Sequence, residues 1–151
     1  MEELIKKATD SVVASLKGVD NIYDTLFDIV KGNVVDLFKG TGEVASAGTE
    51  AAAKIVASLI KGIAAIGGEA GKAAEKVVRG TLKGASEAGQ DAAGMIKDSV
   101  RGAIKGTNEI GGDLGKVAVG AVQGAVEAAG EIHTDLAHGF VRAEVVACQD
   151  L

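Results

Sequence analysis

Apolar residues recur along the chain at alternating spacings of three and four, which is the pattern of an α-helix with one buried face. The pattern keeps a period of 22 residues without an insertion or a deletion. This period is twice the 11-residue repeat that fits about 3.67 residues per helical turn. It predicts an all-α fold of long amphipathic helices. Two series of positions form the apolar stripe: Val12, Val34, Val56, Val78, Val100 and Val122, with Leu16, Phe38, Ile60, Leu82 and Ile104.

The side-chain size along the repeat divides one structural unit into three parts. Residues 1–39 hold the bulkiest apolar side chains and predict an N-terminal helix. Residues 40–49, rich in glycine and small polar side chains, form a possible hinge. Residues 50–151 predict one long Ala/Gly-rich helix, in which the double glycines at 67–68 and 111–112 are candidate kinks. The chain has no proline that would break it, so a bent helix pair is expected.

Glycine is frequent inside the predicted helices, where each one costs about 1 kcal/mol relative to alanine. Several glycines are four residues apart, a spacing that lets two helix backbones approach closely. Close packing between helices is therefore expected to offset the cost, with helix-ending turns as the alternative for some of them. The close-packing glycines are Gly18, Gly40, Gly62, Gly80, Gly84, Gly102, Gly106 and Gly124.

Charged residues occupy the opposite arc of the helical wheel, with basic and acidic series on different flanks. Such an asymmetric pattern suits helices packed side by side, with the basic flank of one against the acidic flank of the next. The residues expected in this lateral pairing are Lys61, Lys83, Lys105, Arg79 and Arg101 with Glu87, Asp91, Glu109 and Asp113.

Composition and charge limit the compartment and the partners. The formal net charge of -5 leaves no basic face for phosphates, so nucleic acid is not an expected partner. The single Cys148 cannot form an internal disulfide and suits a reducing cytoplasm. The N-terminus has no apolar core of signal-peptide length. The expected location is the cytoplasm, with the periphery of a membrane or an inclusion as the alternative.

No motif in the sequence predicts catalysis. The stretch GTGEVA, from Gly40 to Ala45, is similar to a dinucleotide fingerprint, but Ala-rich helix follows it where that motif needs a strand. His133 and His138 lie about 130° apart on a helical wheel, too far to share a metal ion through one helix. We therefore expect no enzyme activity and no catalytic residue, cofactor site or metal site.

The 11-residue phasing with its recurrent Lys-Gly pairs, such as Lys83-Gly84 and Lys105-Gly106, resembles phasin-like, synuclein-like and late-embryogenesis-abundant-like proteins. This resemblance implies an amphipathic coat on a lipid or storage-granule surface, or a disordered protective chain. The mean hydropathy of +0.24 is high for the disordered class. The one-sided charge pattern favours a third function, a structural protein that associates with itself, as coiled coils do, into a homo-oligomer such as a filament, tube or sheet.

Overall fold

The protein is all-α, as the sequence predicts. The computed structural model describes residues 1–40 and 42–150, with the side chains of residues 1–40 and 42–132. Its helices are α1 Glu2–Leu16, α2 Ile22–Gly40, α3 Gly42–Ala47, α4 Thr49–Ala65, α5 Ala70–Glu87, α6 Ala92–Glu109 and α7 Leu114–Asp150.

The long helix expected over residues 50–151 is wrong, because the chain reverses at three glycines in left-handed backbone conformation. Gly67, Gly89 and Gly111 have φ angles of 88°, 86° and 69°, a region that glycine enters without the strain of a Cβ atom. At the first of them the amide of Gly67 donates to the carbonyl of Ala64, and the amide of Gly68 donates to that of Ile63. The same pair of hydrogen bonds ends α5 and α6, so each turn is a Schellman cap.

The next helix starts within a few residues of each glycine turn. The amide of Gly94 donates to the Oδ1 of Asp91 over 3.2 Å, and the amide of Lys116 donates to the Oδ1 of Asp113 over 3.1 Å. These carboxylates satisfy amides that a helix N-terminus leaves without a partner. Asp91 and Asp113, predicted to pair with cations, are therefore N-caps. The recurring combination of glycine and acid reverses the chain every 22 residues.

The helices form two layers, and each long helix contacts its neighbours in sequence and the next long helix of its own layer. One layer contains α1, α4 and α6, and the other contains α2, α5 and α7. Helices within a layer run parallel, since Lys61 reaches Glu109 while Ala53 lies against Gly102. The expected bent helix pair is thus replaced by a stack of short helices. The short helix α3, at the expected hinge, leads from α2 to α4.

The core lies between the two layers and is filled by the apolar side of the repeat. Its largest fully buried side chains include Leu16, Leu26, Ile55, Ile63 and Leu82. Alanine and glycine take the positions where helices approach most closely, so few aromatic residues are needed to fill the interior. Single helices of this length are marginal in water, and burial against two neighbouring helices stabilises them.

Candidate functional site

The apolar stripe is buried within the chain over most of its length and emerges at the C-terminal end of the stack. Val12, Leu16, Val34, Phe38, Val56, Ile60, Val78 and Leu82 are buried. Val100 is half-buried, whereas Ile104 and Val122 are exposed. The side chains predicted to meet another copy are therefore covered, in the first five helices, by helices of the same chain.

Most of the close-packing glycines lie in close approaches between helices of one layer within the chain. A Cβ atom added to Gly84 of α5 would lie 2.8 Å from the carbonyl oxygen of Lys31 in α2. One added to Gly106 of α6 would lie 2.8 Å from the carbonyl oxygen of Ala57 in α4. The remaining contacts of this kind are Gly62 with Val13, Gly80 with Val30, Gly102 with Ala53, and Gly120 and Gly124 with Gly71 and Glu75.

Two of the predicted close-packing glycines differ from the others. Gly18 follows α1 and has a φ of 80°, so it marks a helix-ending turn, the alternative to close packing. Gly40 at the end of α2 has no atom of the described residues within 4 Å of an added Cβ, and the same is true of Gly32 in the middle of α2. No helix precedes α2 in its layer, which explains why these glycines have no partner helix.

Charge pairing between basic and acidic flanks also occurs between helices of the same layer. The Nζ of Lys61 donates to the Oε2 of Glu109 over 2.5 Å. This ammonium group holds the pKa of Glu109 below the usual value. Glu87 pairs at 3.9 Å with Lys31, on the helix before it in the layer, rather than along its own helix. Both pairs are partly exposed to solvent and contribute little to stability individually.

The remaining predicted charge residues have different surroundings. Arg101 lies 4.0 Å from Asp98 one turn earlier on its own helix. Lys105 contributes to the lowered pKa of Glu109. Lys83 is half-buried on α5. Within the chain, the residues of this series that pair with another helix of the same layer are therefore Lys61 with Glu109, Glu87, and Arg79.

Arg79 is the centre of a charged cluster between α5 and α7 that the sequence did not single out. Its guanidinium group donates to the Oε1 of Glu131 and lies 3.7 Å from Glu127. It also lies over the ring of Phe27 in α2, 4.1 Å from the centroid, a cation–π contact. Burial and a hydrogen bond to Glu127 raise the pKa of Glu75, at the edge of this cluster. Arg79 thus links three helices of one layer.

The C-terminal end of the stack exposes apolar residues at repeat positions that are buried earlier in the chain. We call this surface, made of Ile104 on α6 and Val119, Val122 and Val126 on α7, the open end. Three of its residues have buried apolar equivalents two periods earlier, whereas Val119 stands at the repeat position of Glu75. The exposed fractions are 37% for Ile104, 51% for Val122 and 66% for Val126, against 0% for Ile60, Val78 and Leu82. The helix that would cover these positions in a longer stack has no counterpart among the described residues.

The opposite end of the stack is polar. On α1 the exposed outer side carries Lys7, Ser11 and Ala14, and on α2 it carries Asp28 and Asp36. Repeat proteins need such polar terminal faces to stay soluble when nothing packs against them. The two ends of the stack are therefore different, one polar and one apolar.

A surface groove lies between α1, α4 and α6. Its walls include Lys54, Lys61 and Arg101, and all three pair with acids of the same region. In the described part of the chain no three His, Cys, Asp or Glu side chains are grouped as metal ligands. His133, His138 and Cys148 lie outside the described side chains.

Comparisons with known proteins cover only part of the chain. The family model YchF-GTPase_C, described as a protein of unknown function (DUF933), matches residues 118–151, of which 118–150 lie in α7. The match is shorter than a quarter of the chain and shows a similarity of that segment only. No curated protein and no solved structure matches the chain. Within the described residues, no helix has both the length and the apolar character needed to cross a membrane.

Proposed function

We propose that this protein is a non-enzymatic structural protein that associates with itself into a homo-oligomer through the open end. The observation that carries the proposal is the exposure of Val122 and Val126 at positions where Val78 and Leu82 are fully buried. Most of the apolar stripe is used inside the chain, so the association surface is smaller than the sequence predicted. It comprises the last period of the stripe and its neighbours on α6 and α7.

The physical drive for this contact is the burial of apolar side chains. Fully burying one valine contributes about 1.5 kcal/mol, and three exposed valines lie on one side of α7. A monomer gains nothing from keeping Val119, Val122 and Val126 in water. A contiguous apolar patch with a polar surround is typical of a protein or lipid contact.

The internal packing indicates which kind of partner fits this patch. Within one chain, α7 packs on α5 and α6 packs on α4, and glycines at the same position of the repeat lie in both contacts. A second copy offers helices of the same repeat, and it can therefore extend a mode of packing that the fold already uses. A lipid or storage-granule surface offers no such continuation, so self-association is the better supported function.

Two variants of adjacent residues test the proposal. Val122→Glu places a charge in the open end, whereas Gln123→Glu places the same charge on the next, exposed residue. We expect the wild type and Gln123→Glu to form oligomers and Val122→Glu to remain monomeric, as measured by light scattering and negative-stain electron microscopy without lipid. Circular dichroism checks that both variants keep the helical fold.

The competing functions give different results. A wild-type protein that stays monomeric at high concentration but binds anionic phospholipid vesicles would replace the proposal with the coat function. Equal assembly of the Val122→Glu and Gln123→Glu variants would also overturn it, because the open end would then not be the contact.

A further inference from the structure

We infer, on the basis of the proposed function, that two copies of the chain form a closed dimer through their open ends. The two-fold axis runs parallel to the helices, and α7 of each copy lies beside α6 of the other. The contact covers the open end of both copies, so no further copy can add to the dimer. The occupant of the open end is thus a second copy of the same chain.

The open end is stepped, because the two layers are offset by half a helix. From α4 onwards, each helix contacts the helices before and after it in sequence, which belong to the other layer. The outermost helix is therefore α7, and α6 lies behind it. Among the described residues, α6 contacts α4 in its own layer and has no helix of that layer on its other side. This leaves room for one helix beside Ile104 of α6 and Val122 of α7.

A two-fold axis parallel to the helices fits the two stepped ends together. This axis exchanges the layers, so α7 of one copy enters the space beside α6 of the other, and the same contact forms a second time by symmetry. An axis perpendicular to the helices instead places α7 against α7 within one layer and leaves Ile104 of both copies facing solvent. Of these two arrangements, the one with the parallel axis covers all of the open end.

The residues nearest the proposed axis are uncharged, as a two-fold contact requires. A two-fold axis brings each residue close to its own equivalent, so a charge beside it would face a like charge. The exposed residues Val119, Val122 and Val126 of α7 are three and four positions apart, which is the spacing by which two parallel helices interlock. Val122 and Val126 of the two copies therefore meet each other at the centre of the contact.

Charged side chains at the edge of this contact complement each other. The helices α6 and α7 run antiparallel from the turn at Gly111, and Lys97 and Glu127 each lie about four helical turns away from it. An axis parallel to the helices preserves height, so Glu127 of one copy comes close to Lys97 of the other. Lys97 is exposed and, within the described residues, has no ion pair.

Glu127 belongs to a group in which acids outnumber cations. Glu127 and Glu131 share Arg79, and Glu75, which is hydrogen-bonded to Glu127, has Lys76 4.0 Å away. Three carboxylates thus face two cations. Burial and the contact with Glu127 raise the pKa of Glu75, as expected where negative charge is in excess. A lysine of a second copy beside Glu127 would offset this excess.

Cysteine cross-linking tests the direction of the axis. In the background Cys148→Ser, the variants Val122→Cys and Val126→Cys each carry one thiol, and the two positions lie one helical turn apart. We expect both variants to form disulfide-linked dimers on mild oxidation, because both positions face their own equivalents across a parallel axis. A perpendicular axis allows at most one of them to do so, and a head-to-tail contact allows neither. The control Ser11→Cys, exposed on α1, should stay monomeric.

Charge reversal tests the pairing at the edge. We expect Lys97→Glu to raise the Kd of the dimer by roughly tenfold, because each dimer contains the pair twice and the variant turns both attractions into repulsions. Adding Glu127→Lys to Lys97→Glu should recover most of this loss. The matched control Lys7→Glu, on the outer side of α1, should leave the Kd unchanged. Sedimentation equilibrium measures the Kd, and circular dichroism checks the fold of each variant.

The other outcomes overturn the inference in distinguishable ways. Wild-type assemblies larger than a dimer, a lack of cross-linking at Val122→Cys or Val126→Cys, or equal Kd values for Lys97→Glu and Lys7→Glu would remove the proposed dimer while self-association stands. A wild-type protein that stays monomeric at all concentrations would remove both.

Discussion

Gly84 and Gly32 form a matched pair of glycines, because both lie inside helices and only Gly84 has a close neighbour. A Cβ atom at Gly84 would lie 2.8 Å from the carbonyl oxygen of Lys31 and 2.9 Å from the Cβ of Val34. Favourable carbon–carbon contacts lie at about 3.5–4.0 Å. Since both neighbouring atoms are fixed to the backbone of α2, no side-chain rotation can relieve the overlap, and α2 and α5 would have to separate by roughly 0.6–1 Å.

The expected magnitude follows from two opposing effects. Replacing glycine by alanine inside a helix gains about 1 kcal/mol, whereas overpacking a tight contact costs about 1–3 kcal/mol, or more where the backbone must move. For Gly84→Ala we take the upper part of this range, which gives a net loss of about 2 kcal/mol. For Gly32→Ala only the gain of about 1 kcal/mol applies, because its Cβ meets no described atom within 4 Å.

The assay is urea unfolding followed by circular dichroism at 222 nm, at a protein concentration below that of assembly. A gap of about 3 kcal/mol is expected between the two variants, with opposite signs relative to the wild type. In thermal unfolding, 1 kcal/mol corresponds to about 2–4 °C for a domain of this size. A Gly84→Ala variant as stable as Gly32→Ala would refute the claim that glycine sets the distance between helices of one layer.

Three further expectations concern single sites. Thr81 and Ser99 are buried, and their hydroxyl oxygens have no hydrogen-bond partner among the described residues. Thr81→Val and Ser99→Ala should therefore each raise the free energy of unfolding by about 1 kcal/mol. A lower free energy of unfolding in urea would contradict this. Gly89→Ala, at a φ of 86°, should lower the free energy of unfolding by about 1–2 kcal/mol, and thermal unfolding would measure the change. Burial beside Glu127 raises the pKa of Glu75, so the folded state holds this proton more tightly than the unfolded state does. The stability from this group is therefore present below the ordinary pKa of a glutamate and is lost as pH rises through the folded pKa. Glu75→Gln should remove this loss, and an unfolding free energy with the same slope between pH 4 and 7 in both proteins would count against it.

The 22-residue period was sufficient to predict the helices and their buried side, because apolar spacing directly reports which face of a helix leaves water. It was not sufficient to predict where the helices end. The double glycines at 67–68 and 111–112 were interpreted as kinks, and Gly89 was not singled out. In each case a glycine is followed two residues later by Glu69, Asp91 or Asp113. The combination of a left-handed glycine with an acid at the next helix start predicts a chain reversal.

The sequence alone could not show which helix packs against the apolar stripe, and the reason is physical. A repeat presents the same surface to its own next helix and to a helix of another copy, so periodicity cannot distinguish the two. The glycine contacts and the pairing of Lys61 with Glu109 were predicted as types of interaction and occur between helices of one chain. The open end was missed because exposure of Val122 and Val126 depends on where the folding back of the chain stops.

The length of α7 follows from the residue that stands at the next turn position of the repeat. The series Gly67, Gly89 and Gly111 would place the next turn at residue 133, where the chain has histidine. Histidine does not enter the left-handed region as readily as glycine, and α7 continues to Asp150. At 1.5 Å per residue this helix of 37 residues is about 55 Å long, roughly twice the length of its neighbours.

The alternation of the two layers has a consequence for how such a chain can change in length. With the short helix α3 left out of the count, every second helix shares a layer and runs parallel, so a duplication or deletion of two periods leaves the layer and direction of every later helix unchanged. A gain or loss of a single period would move all later helices into the other layer and reverse their direction. Inheritable variation in the size of this protein should therefore proceed in steps of two helices.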